Sequence, residues 1–365
     1  MLLTASIAAL AQEVNTTANG SADGDAAAPH GSQWKRSIES DLVSEKFDDL
    51  DSMANRYREE KLRLSGGEWR LRLFYAALDP PHQTDREVSD QLTHLNHWVQ
   101  QRPQSITARV ALAAGIVRWA MVLHHGFNAA TAPMGLFDER IKKAQTVLEE
   151  AANIGSMCPQ WYSEMMTVGA IELRPGNVPK ADAAARMKDL FDRGVQLEPG
   201  YFYLYIQYAK FLLIPLPEPG PSLPMSWSYA EPRGSGGSPG AGEPDCCYSE
   251  YLQRLRKAAA FAKSSADRLG GDGGDLLYFQ IAAAHINCAH QMDWSRIQRG
   301  YKALRARYGI SHRTMNELAL MAYTLRDATV ARQQFALIGD NWSSDVWGNR
   351  KLFRRARKWC SAGSS

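Results

Sequence analysis

The sequence predicts an all-α protein, an irregular right-handed array of antiparallel helical hairpins. Three observations carry that expectation. Apolar residues recur at helical spacing along most of the chain, proline and glycine interrupt them at short joints, and neighbouring stripes are too wide to cover one another. The stretch Ala181–Leu213 shows all three. Met187, Leu190, Phe191, Gly194 and Val195 fall at i, i+3, i+4, i+7 and i+8, one face of a helix. Pro199 stops that helix, because proline lacks an N–H and disfavours helix at the residue before it. Tyr201, Leu204, Tyr205, Tyr208, Ala209 and Leu212 then repeat the spacing. Two amphipathic helices with so short a joint lie antiparallel, and the uncovered part of each stripe calls for a further neighbour.

The other elements follow in order. Trp34 to Leu64 is helical in pattern, with Phe47, Leu50, Ala54 and Tyr57 as its stripe. Gly66 and Gly67 read as a helix end and a turn. Trp69, Leu73 and Ala76 open the next helix, which Pro80 and Pro81 break. Val88, Leu92, Leu95 and Val99 form another, ended by Arg102-Pro103. Ser105 suits an N-cap for the helix of Val110, Ala113, Ala114, Val117 and Met121. After a loop over 126–135 come a helix from Phe137 to Ala152, a turn at Cys158-Pro159, and the face of Tyr162, Met165, Met166, Gly169 and Ala170. Beyond Tyr248, Leu252, Leu255, Ala259 and Ala262 share one face. Leu269 to Gly274 reads as a flexible turn, followed by the stripes of Leu276, Phe279, Ala283 and Ile286 and of Ile297, Tyr301, Leu304 and Tyr308. Met315, Leu318, Ala319, Ala322 and Leu325, then Ala328, Ala331, Phe335 and Ile338, make a last pair, with Trp342 and Trp347 covering its open stripe.

Leu318 and Ala319, followed by Ala331-x3-Phe335, resemble the tetratricopeptide pattern of small and large residues on paired helices. Met187, Phe191, Gly194 and Pro199 are similar to its second helix with the terminal proline, and Ala144, Leu148 and Ala151 repeat it weakly. The pieces cover about half the chain, with an irregular period, so the resemblance is to a tetratricopeptide-like α-solenoid and not to a consensus array. The segment Arg63–Trp69, RLSGGEW, also resembles a joint in uncharacterised bacterial helical proteins, a family that implies no activity. A stacked array of this kind implies a concave surface for an extended peptide or helix.

Composition narrows the function classes. In 365 residues, 42 basic side chains face 39 acidic ones, for a net charge of +3, which argues against a protein that coats nucleic acid. No run of 18 apolar residues occurs, so no membrane-spanning helix is expected. Residues 1–11 contain a short apolar run ending in Ala9-Leu10-Ala11, a small-x-small pattern like a signal-peptide site, although no positive residue precedes it. Export to the periplasm or outside is therefore expected, with a cytoplasmic protein as the alternative. Residues 12–33 read as a disordered linker, 34–214 and 248–360 as helical-repeat regions, and 215–247 as a mobile loop rich in proline, glycine and serine. Five cysteines at no regular spacing define no disulfide framework.

Few residues carry chemistry. His94-x2-His97 and His285-x2-Cys288-x-His290 have ligand-like spacing, but zinc takes three or four ligands at about 2.0–2.3 Å. The first pair has no third ligand close in sequence, and on a helix His290 lies about 160° around from Cys288. Neither metal nor cofactor is expected. No nucleophile-elbow, zincin, dinucleotide or phosphate-loop motif occurs, and adjacent carboxylates such as Glu59-Glu60 and Glu149-Glu150 point apart on a helix. No catalytic residue is assigned, and the balance falls on binding over catalysis. The expected role is a protein-interaction or scaffolding module whose partner is another protein or peptide. Its contact residues are Tyr201, Tyr205, Tyr208, Trp227 and Tyr229, the first three of which suit a core equally well. The alternative is a cell-envelope enzyme or ligand-binding protein with a pocket near Gly66-Gly67. Arg350, Lys351, Arg354, Arg355, Arg357 and Lys358 form a basic cluster. It fits either a contact to anionic lipid or nucleic acid, or a solvated last helix whose cations suit its C-terminus, and the second is preferred.

Overall fold

The computed structural model describes residues 29–79, 85–126, 134–154, 158–173, 180–214 and 245–362. The apolar run at 1–11, most of the linker and the loop with Trp227 and Tyr229 lie outside them, as does the break at Pro80-Pro81. Among the described residues the regular elements are all helical. They are α1 (Pro29–Val43), α2 (Phe47–Glu59), α3 (Arg70–Ala77), α4 (Asp85–Gln101), α5 (Ile106–Gly126), α6 (Met134–Ala151), α7 (Pro159–Glu172), α8 (Lys180–Leu197) and α9 (Phe202–Leu213). After the undescribed loop follow α10 (Asp245–Leu269), α11 (Gly271–Ala284), a 3-10 turn (Ile286–Gln291), α12 (Trp294–Tyr308), α13 (His312–Thr324), α14 (Ala328–Ile338), α15 (Ser344–Trp347) and α16 (Arg350–Ala362). No helix among them is long and apolar enough to cross a membrane.

The chain forms two compact units. One joins Arg36–Glu59 to the described part of Phe74–Lys257; the other joins Glu60–Leu73 and the described residues before Arg36 to the described part of Ala258–Ser365. The sequence reading kept Glu60–Leu73 with the N-terminal helices, whereas its contacts run to the C-terminal ones.

In the first unit, each helix from α4 to α9 packs on the next, and α7 also touches α5 and α9. Helix α5 is covered on most of its circumference, with Ala108, Val110, Ala113, Ile116 and Ala120 all buried. The hairpin α8–α9 follows its expected stripes. Met187 and Phe191 on α8 and Leu204, Tyr205 and Ala209 on α9 are all buried, and the Phe191 ring stands edge-on to Tyr205 at 5.3 Å. A fully buried side chain of this size stabilises by about 2 kcal/mol.

In the second unit α11 packs on α12 and α13 on α14, with α11 also touching α13. Asp293, Ser311 and Asp327 cap α12, α13 and α14 by accepting from the N–H three residues on. The last core cluster gathers Ala319, Ala322, Ala331, Phe335, Ile338 and Trp347 with Phe353, Ala356 and Cys360 of α16. Trp347 covers the open stripe as expected, while Trp342 is only partly buried and α16 completes the cover.

Two expectations are corrected. The stretch Leu269–Gly274 is no flexible turn: the joint is Gly270 alone, and α11 begins at Gly271. A Cβ on Gly274 would sit 2.1 Å from the Ala266 carbonyl oxygen, so this glycine serves a backbone contact inside a helix. The stripe Trp69, Leu73, Ala76 is also displaced. The buried face of α3 is Leu71, Phe74, Tyr75 and Ala77, and Trp69 is buried ahead of the helix.

Candidate functional site

Helix α2 carries two stripes. Phe47, Leu50, Ala54 and Tyr57 enter the core. Beside them, Asp48, Asp51, Asn55 and Arg58 recur every three or four residues and face the joint between α4 and α5. Asp48 receives both Nε and Nη2 of Arg102, at 2.7 and 2.6 Å. Asp51 accepts from the Ser105 hydroxyl at 2.5 Å and from Trp98 Nε1 at 3.3 Å. Arg58 donates to Asn55 Oδ1 at 2.7 Å and to Thr107 Oγ1 at 3.1 Å, while its buried Nε has no hydrogen-bond partner among the described residues. Just before the helix, Glu45 accepts from His97 Nδ1 at 2.9 Å when that nitrogen carries its proton, and from Gln101 at 3.3 Å.

These residues surround a cavity of about 330 Å³ lined by Asp51, Asn55, Gln101, Arg102, Ser105, Thr107 and their neighbours. Burial pushes the Asp51 carboxyl above its ordinary range, against the hydrogen bonds from Ser105 and Trp98 that pull it down. Ser105 is the expected N-cap: its Oγ accepts the Ala108 N–H at 2.9 Å. The Ser105 hydroxyl is thereby committed on both sides, its oxygen to the cap and its proton to Asp51. Behind Thr107 lie Tyr75 and Cys158, whose hydroxyl and sulfur are 3.6 Å apart. Burial, and Cys158 after it, raises the Tyr75 hydroxyl well above its usual range.

The other candidates are placed as follows. Tyr201 is buried, with its hydroxyl on Gln160 Oε1, and Tyr205 is buried with its hydroxyl on the Pro199 carbonyl at 3.1 Å. Neither leaves much surface for a partner. Tyr208 is half-buried and stacks on Phe191 at 4.7 Å. Gly66 and Gly67 adopt φ of +81° and +78°, the left-handed region that favours glycine. They form the tip of a tight reversal in which Leu64 N–H bonds Glu68 O at 2.8 Å and Arg70 N–H bonds Leu62 O at 2.9 Å. A Cβ on Gly66 would meet Ser311 Oγ at 2.7 Å and Thr314 Oγ1 at 2.8 Å, so the reversal is packed onto the start of α13.

Near it, Arg313 donates to Glu317 at 2.8 Å. Burial pushes the Glu317 carboxyl up to about 7, against the attraction of Arg313 and helped by repulsion from Glu68. Sequence reasoning missed this carboxyl because the i, i+4 pair with Arg313 looks like an ordinary solvated one. It also missed Glu45, whose Oε1 lies 3.8 Å from His94 Nδ1 and 2.9 Å from His97 Nδ1. Even so, among the described residues no group of three or more His, Cys, Asp or Glu is arranged to hold a metal ion. In the second ligand-like set, Cys288 is buried and His290 exposed. Cys158, Cys288 and Cys360 are buried free thiols, and burial raises Cys288 to about 12. No family model matches this chain, and no curated protein matches it.

Proposed function

We propose that the chain is a tetratricopeptide-like α-solenoid that binds another protein or peptide, acting as an interaction or scaffolding module. The observation that carries this reading is the packing order. Alternate helices touch as well as consecutive ones, α5 with α7, α7 with α9, and α11 with α13. A layer of inner helices flanked by outer ones is how hairpin repeats cover their stripes. The test is a pull-down from the cells that make the protein, comparing the intact chain with one lacking Pro217–Pro244. A specific partner enriched by the intact chain and lost with the deletion is the expected result and assigns the contact to the segment of Trp227 and Tyr229. Enrichment of nothing by either form overturns the scaffold reading.

A second reading rests on the cavity beside Asp51. It makes the protein a receptor for a small polar ligand, with Asp51, Gln101 and Arg102 as contacts. Ligand screening by thermal shift separates the two: a hit abolished by Asp51→Asn favours the receptor. Export is proposed from the Ala9-Leu10-Ala11 pattern, and a native protein that begins at Met1 overturns it.

A further inference from the structure

Helix α16 contains no acidic residue, and its outer face carries Arg350, Lys351, Arg354, Arg355 and Lys358, all exposed. None of the five has an acidic partner among the described residues. The contrast is within the same helix, where Arg357 pairs with Asp340 at 2.7 Å. Helix stability does not explain the arrangement. Cations favour a helix C-terminus, yet Arg350 and Lys351 occupy the first turn and the last turn has no basic residue. The sequence reading of cations suited to the C-terminus is therefore corrected.

We propose that this face docks on an anionic lipid surface. The apolar side of α16 is already committed, since Phe353, Ala356 and Cys360 are buried in the core cluster. The helix therefore offers charge without an apolar edge to insert. The five positions spread over about 140° of the helix and about 12 Å of its length, a patch and not a line. A two-dimensional array of headgroups meets such a patch better than a single strand does. The aromatic beside Lys358, Trp359, is half-buried, stands edge-on to Tyr323 at 5.4 Å and has the Arg326 guanidinium 5.6 Å from its ring centroid, so it is a poor platform for a base to stack on. Contact of this kind is electrostatic and is screened by salt.

The test uses the full chain and co-sedimentation with vesicles of neutral lipid or of neutral lipid mixed with phosphatidylserine. A variant carrying Arg350→Gln, Lys351→Gln, Arg354→Gln, Arg355→Gln and Lys358→Gln is compared with a charge-matched control. The control carries Lys142→Gln, Lys143→Gln, Arg256→Gln, Lys257→Gln and Lys302→Gln, all at exposed positions. Expected is binding to the anionic vesicles only, lost at about 0.5 M salt and weakened roughly tenfold or more in the α16 variant. The control keeps its binding, and both variants keep the parent's circular dichroism melt. Absence of binding to anionic vesicles, equal loss in both variants, or retention of duplex DNA or RNA without lipid overturns the proposal.

Discussion

The two units join their helices by different means. Where α12 crosses α11, backbone meets backbone: a Cβ on Gly300 would lie 2.0 Å from the Asp275 carbonyl oxygen and 2.8 Å from Phe279 Cβ. Where α2 meets the α4–α5 joint, side chains span the gap in polar pairs and leave a cavity of about 330 Å³. The first kind of joint admits one residue type and no ligand. The second has slack, because a polar pair can lengthen, take up water or exchange a partner. A search for function therefore belongs at the second kind, and a search for fragility at the first.

The sharpest way to break the comparison is Gly300→Ala. It forces the helices apart and is expected to cost about 3 kcal/mol or more, read as a lower urea midpoint. A midpoint within error of the parent would mean that the crossing relaxes freely. The next effect tests the carboxyl hidden beside the packed reversal. Glu317 has a folded pKa of about 7 against an ordinary value of 4.5. The folded state thus holds the proton more tightly, and the contribution of Glu317 to stability is full below the unfolded pKa and is lost as pH rises towards 7. The loss is about 1–3 kcal/mol by linkage, levelling off above that pH. Glu317→Gln should flatten the melting-temperature profile over this window; an unchanged slope in the variant sinks the assignment.

Ser105→Ala comes third. It removes an N-cap and one donor to Asp51, and a loss of about 1–2 kcal/mol is expected. Asp51→Asn in the same background should then add little, since the pair acts as one unit. Smallest is Arg102→Gln. The ion pair with Asp48 is short, at 2.6 Å, yet the Asp48 side chain is 77% exposed. No shift in the urea midpoint is expected, and a clear one would show that the polar stripe is stiffer than its exposure implies.

The hairpins were legible wherever one face of a helix is buried. Met187, Phe191, Ile297, Tyr301, Leu304, Ala331 and Phe335 are all buried as their spacing requires. Legibility faded for helices covered on several sides. In α5 and α11 the period dissolves because Leu112, Ile116, Leu277, Tyr278 and Ile281 are buried as well. Gly274 was misread because a glycine that marks a turn and one that admits a neighbouring backbone look alike in sequence. The cavity was not legible at all. Ser105 stood out as a cap, but its partner Asp51 is 54 residues away and resembles any surface acid of an amphipathic helix. Nothing local distinguishes a carboxyl that will be bridged from one that will be wet.

The buried thiols turn the molecule into its own stopwatch. A thiol held at a pKa of about 12, as Cys288 is, exists as thiolate for only about one molecule in ten thousand at pH 8, and its sulfur is closed off from reagent. Labelling must therefore wait for the surrounding helices to part. With Cys246→Ser and Cys247→Ser as background, Cys158 times the opening of the first unit, and Cys288 and Cys360 time the second. The three rates give the opening free energy of each neighbourhood, with no label or probe added to the fold beforehand.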